Sequence, residues 1–315
     1  MSVSLGLSEE LEAIVPGRLR VDEPLAAYTT LRVGGPADFL ALAKTTDEVV
    51  RLVQAARRLG LPWRVIGRGS NLLVADRGVR GLVIRNTANQ VQLLVAERPE
   101  QTLRADAGVS CANLASRTAK LGLAGFEFAV AIPGTIGGAV VQDAGAHGAQ
   151  MADVLTAVEY LDRDGEPRTL PAEQLALGYR TSRFKQPPRG EAVLRADLRL
   201  RRSTPSEVAA LIDEIRRWRA ASQPTEPSAG SIFTNPPGDY AGRLVEQAGL
   251  KGRQVGGAQI SPKHANFVVN VGGARAADVR RLIELARDEV AARFGVRLEA
   301  EVEPIGDWQP EEEAP

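Results

Sequence analysis

Residues 63–74, WRVIGRGSNLLV, decide how this chain is read. Trp63 to Ile66 form an apolar run of strand length, and Gly67-Arg68-Gly69-Ser70-Asn71 ends it in a glycine-rich turn, where positive φ carries no steric cost. Leu82 to Ile84 predict a second short buried strand beyond that turn. Upstream, Phe39 to Ala43 read as extended, and Thr45 with Glu48 set a capping box for an amphipathic helix that Gly60 ends. This alternation of strand and helix between residues 25 and 85 predicts a compact α/β unit, so the first unit is set at 1–87.

Working outward, residues 88–202 change to hairpin-like text. Val91 to Val95 and Leu103 to Ala107 flank a polar loop, and Val154 to Leu161 lead to Asp164-Gly165, a strong turn signal. Leu194, Ala196, Leu198 and Leu200 alternate with charged residues, which predicts a half-buried strand closing the second unit. A third unit, 203–300, opens at Thr204, where Thr-Pro-Ser-Glu combines an N-cap, a first-turn proline and a capping glutamate. Val208, Leu211, Ile212, Ile215 and Trp218 then make one helical face. A second amphipathic helix carries Val279, Leu282, Ile283, Ala286 and Val290, stops at Gly295, and hands over to a strand from Val296 to Val302. Residues 307–315 read as a disordered acidic tail.

The 315 residues suffice for two domains or three small ones. An apolar fraction of 44% and a charged fraction of 25%, with no apolar run of membrane-spanning length, predict a soluble globular protein. The N-terminus lacks the basic lead of a secretory signal, and the one cysteine, Cys111, forms no internal disulfide; both fit the cytoplasm. The 39 basic residues, 34 of them arginine, are balanced by 39 acids, a pattern of codon bias rather than of nucleic-acid binding.

There is no phosphate loop with Gly-Lys-Ser/Thr, no Gly-x-Gly-x-x-Gly and no nucleophile elbow. Two histidines, His147 and His264, and one cysteine supply neither a zinc site nor a Cys–His pair, which turns attention to an organic cofactor. The GRGSN turn has a counterpart in Pro133-Gly134-Thr135-Ile136-Gly137-Gly138, followed by Ala144-Gly145-Ala146-His147-Gly148. Each is compatible with an ordinary tight turn or with backbone N–H groups cradling a diphosphate. Tyr179-Arg180-Thr181-Ser182-Arg183-Phe184 suits either a surface loop or a guanidinium placed beside a carboxylate or phosphate. The segment from Ser228 to Pro236 is a small-residue loop with hydroxyls and an amide. Between Val296 and Val302 the charged residues Arg297, Glu299 and Glu301 share one face, and nothing in the spacing singles out Glu301.

Taken in order, the segments resemble the UDP-N-acetylenolpyruvoylglucosamine reductase family, of its shorter type. The resemblance rests on TLRVGGP at 30–36, IGRGSNLLV at 66–74, IPGTIGGAV at 132–140, YRTSRFK at 179–185 and QPTEPSAGSIFTNP at 223–236. It continues in AGRLVEQAGLKG at 241–252, SPKHANFVVN at 261–270 and EVEPIG at 301–306. It implies an α+β fold: an FAD-binding domain of the vanillyl-alcohol-oxidase type in two subdomains, 1–87 and 88–202, and a C-terminal α+β substrate-binding domain, with the strand near 301–306 returning to the active site. It implies NADPH-dependent reduction of UDP-N-acetylglucosamine enolpyruvate through non-covalent FAD, in peptidoglycan precursor synthesis, by a cytoplasmic monomer.

The resemblance implies residue roles as well. Arg180 stabilises developing negative charge, a protonated Glu301 hydrogen-bonds it, and Ser231 delivers a proton. Gly67, Arg68, Gly69, Ser70, Asn71, Pro133, Gly134, Thr135, Gly137, Gly138 and Gly145 would hold FAD. Tyr179, Asn235, Arg219, Arg243 and Lys263 would hold the substrate.

Two positions depart from the family pattern: Asp143 stands where Asn is usual, and Thr234 where Lys is usual. The first puts a carboxyl near the expected cofactor site, and the second removes a charge from the substrate side. Two alternatives stand beside this reading. One is an oxidase of the same superfamily with flavin tethered through His147; the other is a UDP-sugar-binding module without catalysis.

Overall fold

The structure is a computed structural model that describes residues 2–95, 100–187 and 189–308. In chain order its principal elements begin with α1 (Ser2–Ile14), β1 (Leu19–Pro24), β2 (Pro36–Ala43), α2 (Thr46–Arg58), β3 (Trp63–Ile66), β4 (Leu72–Val74), β5 (Val79–Asn86), β6 (Val91–Val95), β7 (Glu100–Asp106), α3 (Cys111–Lys120) and β8 (Leu123–Ala124). There follow α4 (Ile136–Gln142), β9 (Gly145–Ala146), β10 (Ala149–Gln150), β11 (Leu155–Leu161), β12 (Pro167–Pro171), β13 (Ala192–Arg202), α5 (Pro205–Ser222), β14 (Ser228–Ser231), α6 (Ala241–Gln247), β15 (Gln254–Val255), β16 (Ala258–Ile260), β17 (Phe267–Asn270), α7 (Ala276–Phe294) and β18 (Glu303–Ile305).

The chain divides into two compact units. One comprises residues 1–20, 40–67 and 82–219, the other residues 21–39, 68–81 and 220–315. These limits differ from those drawn on the sequence, which opened a unit at Thr204. The reason lies in α5: Val208 and Ile212, one turn apart, are buried in the same apolar cluster as Leu103, Leu114, Leu198 and Leu200, so the helix belongs with the residues before it. The expected apolar face of α5 is only partly used, since Leu211 and Trp218 remain about half exposed.

In the first unit the six-stranded sheet has the order β12-β11-β13-β7-β6, with β8 also on β13. Leu194, Ala196, Leu198 and Leu200 are fully buried as their alternation requires, and β13 lies centrally in the sheet. It pairs with β7 from Arg195↔Asp106 to Arg201↔Glu100 and with β11 on its other side. The Asp164-Gly165 turn forms, with Gly165 at φ 85°. Part of the polar loop between β6 and β7 lies outside the described residues. In the same unit, β3 and β5 run parallel from Trp63↔Leu82 to Ile66↔Arg85. Cys111, in the first turn of α3, is buried, and burial pushes its thiol up to about 12, which keeps it unreactive.

Capping explains where the helices start. The Thr45 hydroxyl accepts the Glu48 N–H, and the Glu48 carboxylate takes the Lys44 N–H and the Arg18 guanidinium, with the Thr45 backbone N–H also bearing on it. At Thr204 both halves form: its hydroxyl accepts the Glu207 N–H at 3.3 Å and Glu207 accepts the Thr204 N–H at 3.2 Å.

In the second unit a four-stranded sheet, β14-β17-β16-β15, carries α7. Val279, Leu282, Ile283, Ala286 and Val290 are all buried, and Gly295 ends the helix at φ 67°. The expected strand from Val296 to Val302 is corrected. The segment makes one isolated bridge, Phe233↔Ala300, and both Glu301 and Val302 donate to the single carbonyl of Ile232, at 2.7 and 3.4 Å. Two donors on one acceptor break a ladder's register. Ala300, expected on the apolar face, is exposed, and the strand proper is β18, parallel to β4. The expected disordered tail is corrected at its start: the Asp307 N–H donates to the Gly78 carbonyl at 2.8 Å, and Arg280 stacks 5.0 Å from the Trp308 ring. Residues 309–315 lie outside the described set.

Candidate active site

In the first unit the turn at 133–138 is tied to the start of α3: the Cys111 N–H donates to Gly134 O at 3.2 Å, and Ile136 and Gly137 donate to Val109 O and Ala107 O. A Cβ on Gly137 would lie 2.9 Å from that of Ala107, and one on Gly67 would lie 2.3 Å from Thr135 Oγ1. Gly67 thus meets the second glycine turn, and bare backbone is obligatory at their junction. Gly138 differs, being exposed with nothing nearer to its missing Cβ than Thr135 Oγ1 at 3.9 Å. The fold does not demand glycine there, whereas a diphosphate approaching the backbone does. This exposed glycine above a rigid turn fits a flavin dinucleotide. Pro133 is exposed at the mouth of the turn.

The chain after α4 turns through Asp143 in the left-handed region, φ 40° and ψ 55°. Gly145–Ala146 then pair with Ala149–Gln150 as a short hairpin. The 178–181 segment forms its own tight turn, closed by Gly178 N–H to Thr181 O at 3.1 Å and Thr181 N–H to Gly178 O at 2.9 Å, with Arg180 at φ 57°. A long side chain at that φ is a strained choice, of the kind retained at functional sites. Arg180 Nη2 donates to Gly145 O at 3.0 Å and Nη1 lies 3.5 Å from Asp143 O, while its guanidinium sits 5.1 Å from the half-exposed Tyr179 ring. Ser182 Oγ donates to Val141 O at 2.7 Å, and Lys185 Nζ donates to Gln142 Oε1 and Arg180 O at 2.7 and 2.8 Å. The C-terminal end of α4 thus takes Ser182 on its Val141 carbonyl and the Lys185 ammonium on its Gln142 side chain, a position where the negative end of the helix dipole favours a cation. Ser182 and Lys185 had no role assigned from sequence; their signal was the hydroxyl two residues and the ammonium five residues after Arg180.

In the second unit the backbone of Glu301 is held at both ends. Its N–H donates to Ile232 O at 2.7 Å, and its carbonyl accepts Asn71 Nδ2 at 3.0 Å. Ser231 ends β14, opposite Phe267, and its neighbours Ile232 and Phe233 are fastened to Asn266: Ile232 N–H to Asn266 O at 2.9 Å, Phe233 N–H to Asn266 Oδ1 at 2.9 Å, and Asn266 Nδ2 to Phe233 O at 2.8 Å. The fold therefore brings the Ser231 and Glu301 backbones together. Asn266, unassigned from sequence, is the clamp. Gly69 adopts φ 62°, and a Cβ there would lie 2.5 Å from Tyr28 O. Of the other GRGSN residues, Arg68 is exposed and Ser70 half-buried, while Asn71 spends its amide on Glu301.

Four of the expected substrate ligands have protein partners. Arg219 donates to Ala131 O in the first unit, and burial holds its guanidinium below the usual range. In the second unit Arg243 is engaged by Asp239 and, at 2.7 Å, by Gln247. Lys263 Nζ donates to Ala220 O at 2.6 Å, and Asn235 Oδ1 accepts the Ala241 N–H at 3.1 Å at the start of α6. Thr234 N–H donates to Glu299 O at 3.0 Å. His147 packs edge-on against the Trp218 ring, centroids 4.7 Å apart.

Residues 37–170 match the family model of an FAD-binding domain, and residues 223–305 match that of the UDP-N-acetylenolpyruvoylglucosamine reductase C-terminal domain. Together with the glycine turns, this defines an FAD-dependent oxidoreductase with a separate C-terminal domain. The chain is 45% identical to a UDP-N-acetylenolpyruvoylglucosamine reductase 2 of Symbiobacterium thermophilum, over 96% of this chain and 99% of that one. It is 46% identical to a reductase of the same name from Anaeromyxobacter dehalogenans, over 96% and 91%. The crystal structure of the Thermus caldophilus reductase superposes with a TM-score of 0.76 at 39% identity, covering 91% of this chain and 97% of that one. The chain belongs to the UDP-N-acetylenolpyruvoylglucosamine reductase family. Among the described residues no helix is long and apolar enough to cross a membrane.

Proposed function

We propose that the chain reduces UDP-N-acetylglucosamine enolpyruvate to UDP-N-acetylmuramate at the expense of NADPH, with Arg180, Ser231 and Glu301 as catalytic residues. The observation that carries this reading is the pinning of Arg180: its guanidinium is bonded to a carbonyl of the hairpin that follows the second glycine turn. When bound, FAD supplies the hydride relay between NADPH and the enol ether. Gly67, Gly138 and the backbone of 133–137, with Gly69 and Ser70, would hold it.

Hydride addition at the methylene carbon leaves negative charge on the adjacent carbon and its carboxylate. The planar fork of Arg180 matches that carboxylate, and its side chain is already ordered, so little reorganisation is needed as the charge develops. Ser231 delivers the proton to the carbanionic carbon; a hydroxyl is a weak acid, so the step depends on placement, which the Asn266 clamp on its neighbours supports. Glu301, protonated, donates a hydrogen bond to the same developing charge, and its doubly held backbone limits its wander. Tyr179, Asn235, Arg219, Arg243 and Lys263 are the substrate ligands in this reading. Arg243 and Lys263, with partners of their own, must exchange them for the diphosphate.

We further infer a two-subdomain flavin domain of the vanillyl-alcohol-oxidase type, a monomeric cytoplasmic enzyme, and a place in peptidoglycan synthesis that links it to cell shape, division and the cell cycle. Family membership supports these. The test is NADPH oxidation by the purified, flavin-loaded protein with and without UDP-N-acetylglucosamine enolpyruvate. Substrate-dependent oxidation with formation of UDP-N-acetylmuramate is expected. Turnover on oxygen alone, or flavin covalently retained after denaturation, would overturn the reading.

A further inference from the structure

The least expected group in the first unit is the Asp143 carboxyl. It has no solvent exposure, its Oδ1 accepts the Ala152 N–H at 2.9 Å, and Oδ2 is buried without a hydrogen-bond partner among the described residues. Burial pushes this carboxyl above the usual range, the nearby Asp153 adding to the effect, while Arg180 and the Ala152 N–H act against it. A carboxyl kept in such a place at a cost calls for a reason.

The reason is found in what its backbone does. Asp143 turns the chain in the left-handed region, and its own carbonyl and that of Gly145, two residues on, face the Arg180 guanidinium at 3.5 and 3.0 Å. Its carboxyl crosses from this turn to the start of the next one at Ala152 and so closes the loop of residues 143–152. Within that loop Ala144 O accepts the Met151 N–H at 3.0 Å, and Asp153 bonds the Gln150 N–H at 2.8 Å. The hairpin is only two pairs long, and Gly148 within it has φ 78° and nothing within 4 Å of its missing Cβ. Left to itself such a hairpin is weakly held.

We propose that Asp143 is a positioning residue for Arg180: its buried carboxyl, bonded to the Ala152 N–H, locks the 143–152 loop and thereby the two carbonyls that aim the guanidinium. Asp143 touches no substrate in this account, and the inference rests on the catalytic role proposed for Arg180.

The test is a double-mutant cycle on the flavin-loaded protein, combining Asp143→Gly with Arg180→Ala and adding Asp143→Asn as the conservative variant. Glycine removes the carboxyl while easing the left-handed backbone, which favours folding. Asp143→Gly is expected to lower kcat by roughly 10- to 100-fold, the scale of a misplaced catalytic group. Asp143→Asn, which keeps an oxygen for Ala152, is expected to restore most of the loss. In the Arg180→Ala background, Asp143→Gly should change kcat by less than about 2-fold, because the residue through which it acts is gone.

Equal losses in both backgrounds would overturn the inference, as would full activity of Asp143→Gly while Arg180→Ala is impaired. Full activity of Arg180→Ala would instead overturn the catalytic role of Arg180. Should Asp143→Gly fail to fold, Asp143→Ser, whose hydroxyl falls short of Ala152, takes its place in the cycle with the same expected outcomes.

Discussion

Asn71 donates its side-chain amide to the backbone carbonyl of Glu301 at 3.0 Å, across 230 residues of sequence. The Glu303 N–H returns to the carbonyl of Asn71 at 2.9 Å, so the turn that begins at Gly67 ends by gripping the segment that carries Glu301. An asparagine assigned from sequence to the cofactor is thus occupied in placing a catalytic candidate.

Asn71→Ala leaves the Glu301 carbonyl without its partner in a partly buried setting. A stability loss of about 1–2 kcal/mol follows from an orphaned acceptor, together with a fall in kcat that exceeds any change in KM. Denaturant unfolding and steady-state kinetics check this; unchanged values for both would show that water replaces the amide without consequence.

Ser231→Ala separates the two halves of the reaction. The variant should still let NADPH bleach the flavin, yet form product at a rate lower by about 10²- to 10⁴-fold, the range of a lost general acid. Absorbance of the flavin and a product assay read the two halves. Loss of bleaching would remove Ser231 from the role of proton donor.

Arg180→Lys keeps the charge and loses the planar fork that bonds Gly145 O and faces Asp143 O. Turnover should drop by at least about 10-fold, since a change of roughly 1.4 kcal/mol at the transition state is enough for that. Wild-type turnover in the lysine variant would count against bidentate recognition.

Gly67→Ala places a methyl 2.3 Å from Thr135 Oγ1. Overpacking of this kind costs about 1–3 kcal/mol, and the distorted turn should retain less flavin after gel filtration. Adding Thr135→Ala opens the space and should return much of both losses; a second variant no better than the first would place the fault elsewhere.

Asp143→Asn tests the buried carboxyl by pH. Burial raises its folded-state value above that of the unfolded chain, so between the two the folded protein holds more protons. Stability is then lost as pH rises from the unfolded aspartate value, about 3.9, through the raised one. Asparagine cannot ionise, so the variant should melt higher than the parent at neutral pH, with the gain shrinking toward pH 4. A gain independent of pH would show that ionisation is not the cause.

Much of the fold was legible because its signals are local. The capping box at Thr204, the stop at Gly295 and the buried stripe of α7 each lie within a few residues, and each stands as read. The alternation in β13 marked its buried face, which the structure buries. The misread strand at 296–302 has the right period, but a strand needs a partner offering carbonyls in register, and Ile232 O takes two donors instead. The helix α5 was placed in the wrong unit because an apolar stripe says that a helix packs, not against what.

The same division holds at the candidate site. The glycine turns and the membership of a reductase family were determined by the sequence alone, since φ preferences and motif order are properties of neighbouring residues; the tight turn that bears Arg180 was not, because no glycine or proline within 179–184 marks it. That the carbonyls of 143 and 145 hold Arg180, that Asn71 and Ile232 hold Glu301, and that a carboxyl lies buried at 143 was decided only by tertiary structure. Hydrogen bonds between segments far apart in the chain, and the removal of water from a side chain, exist only once those segments have met.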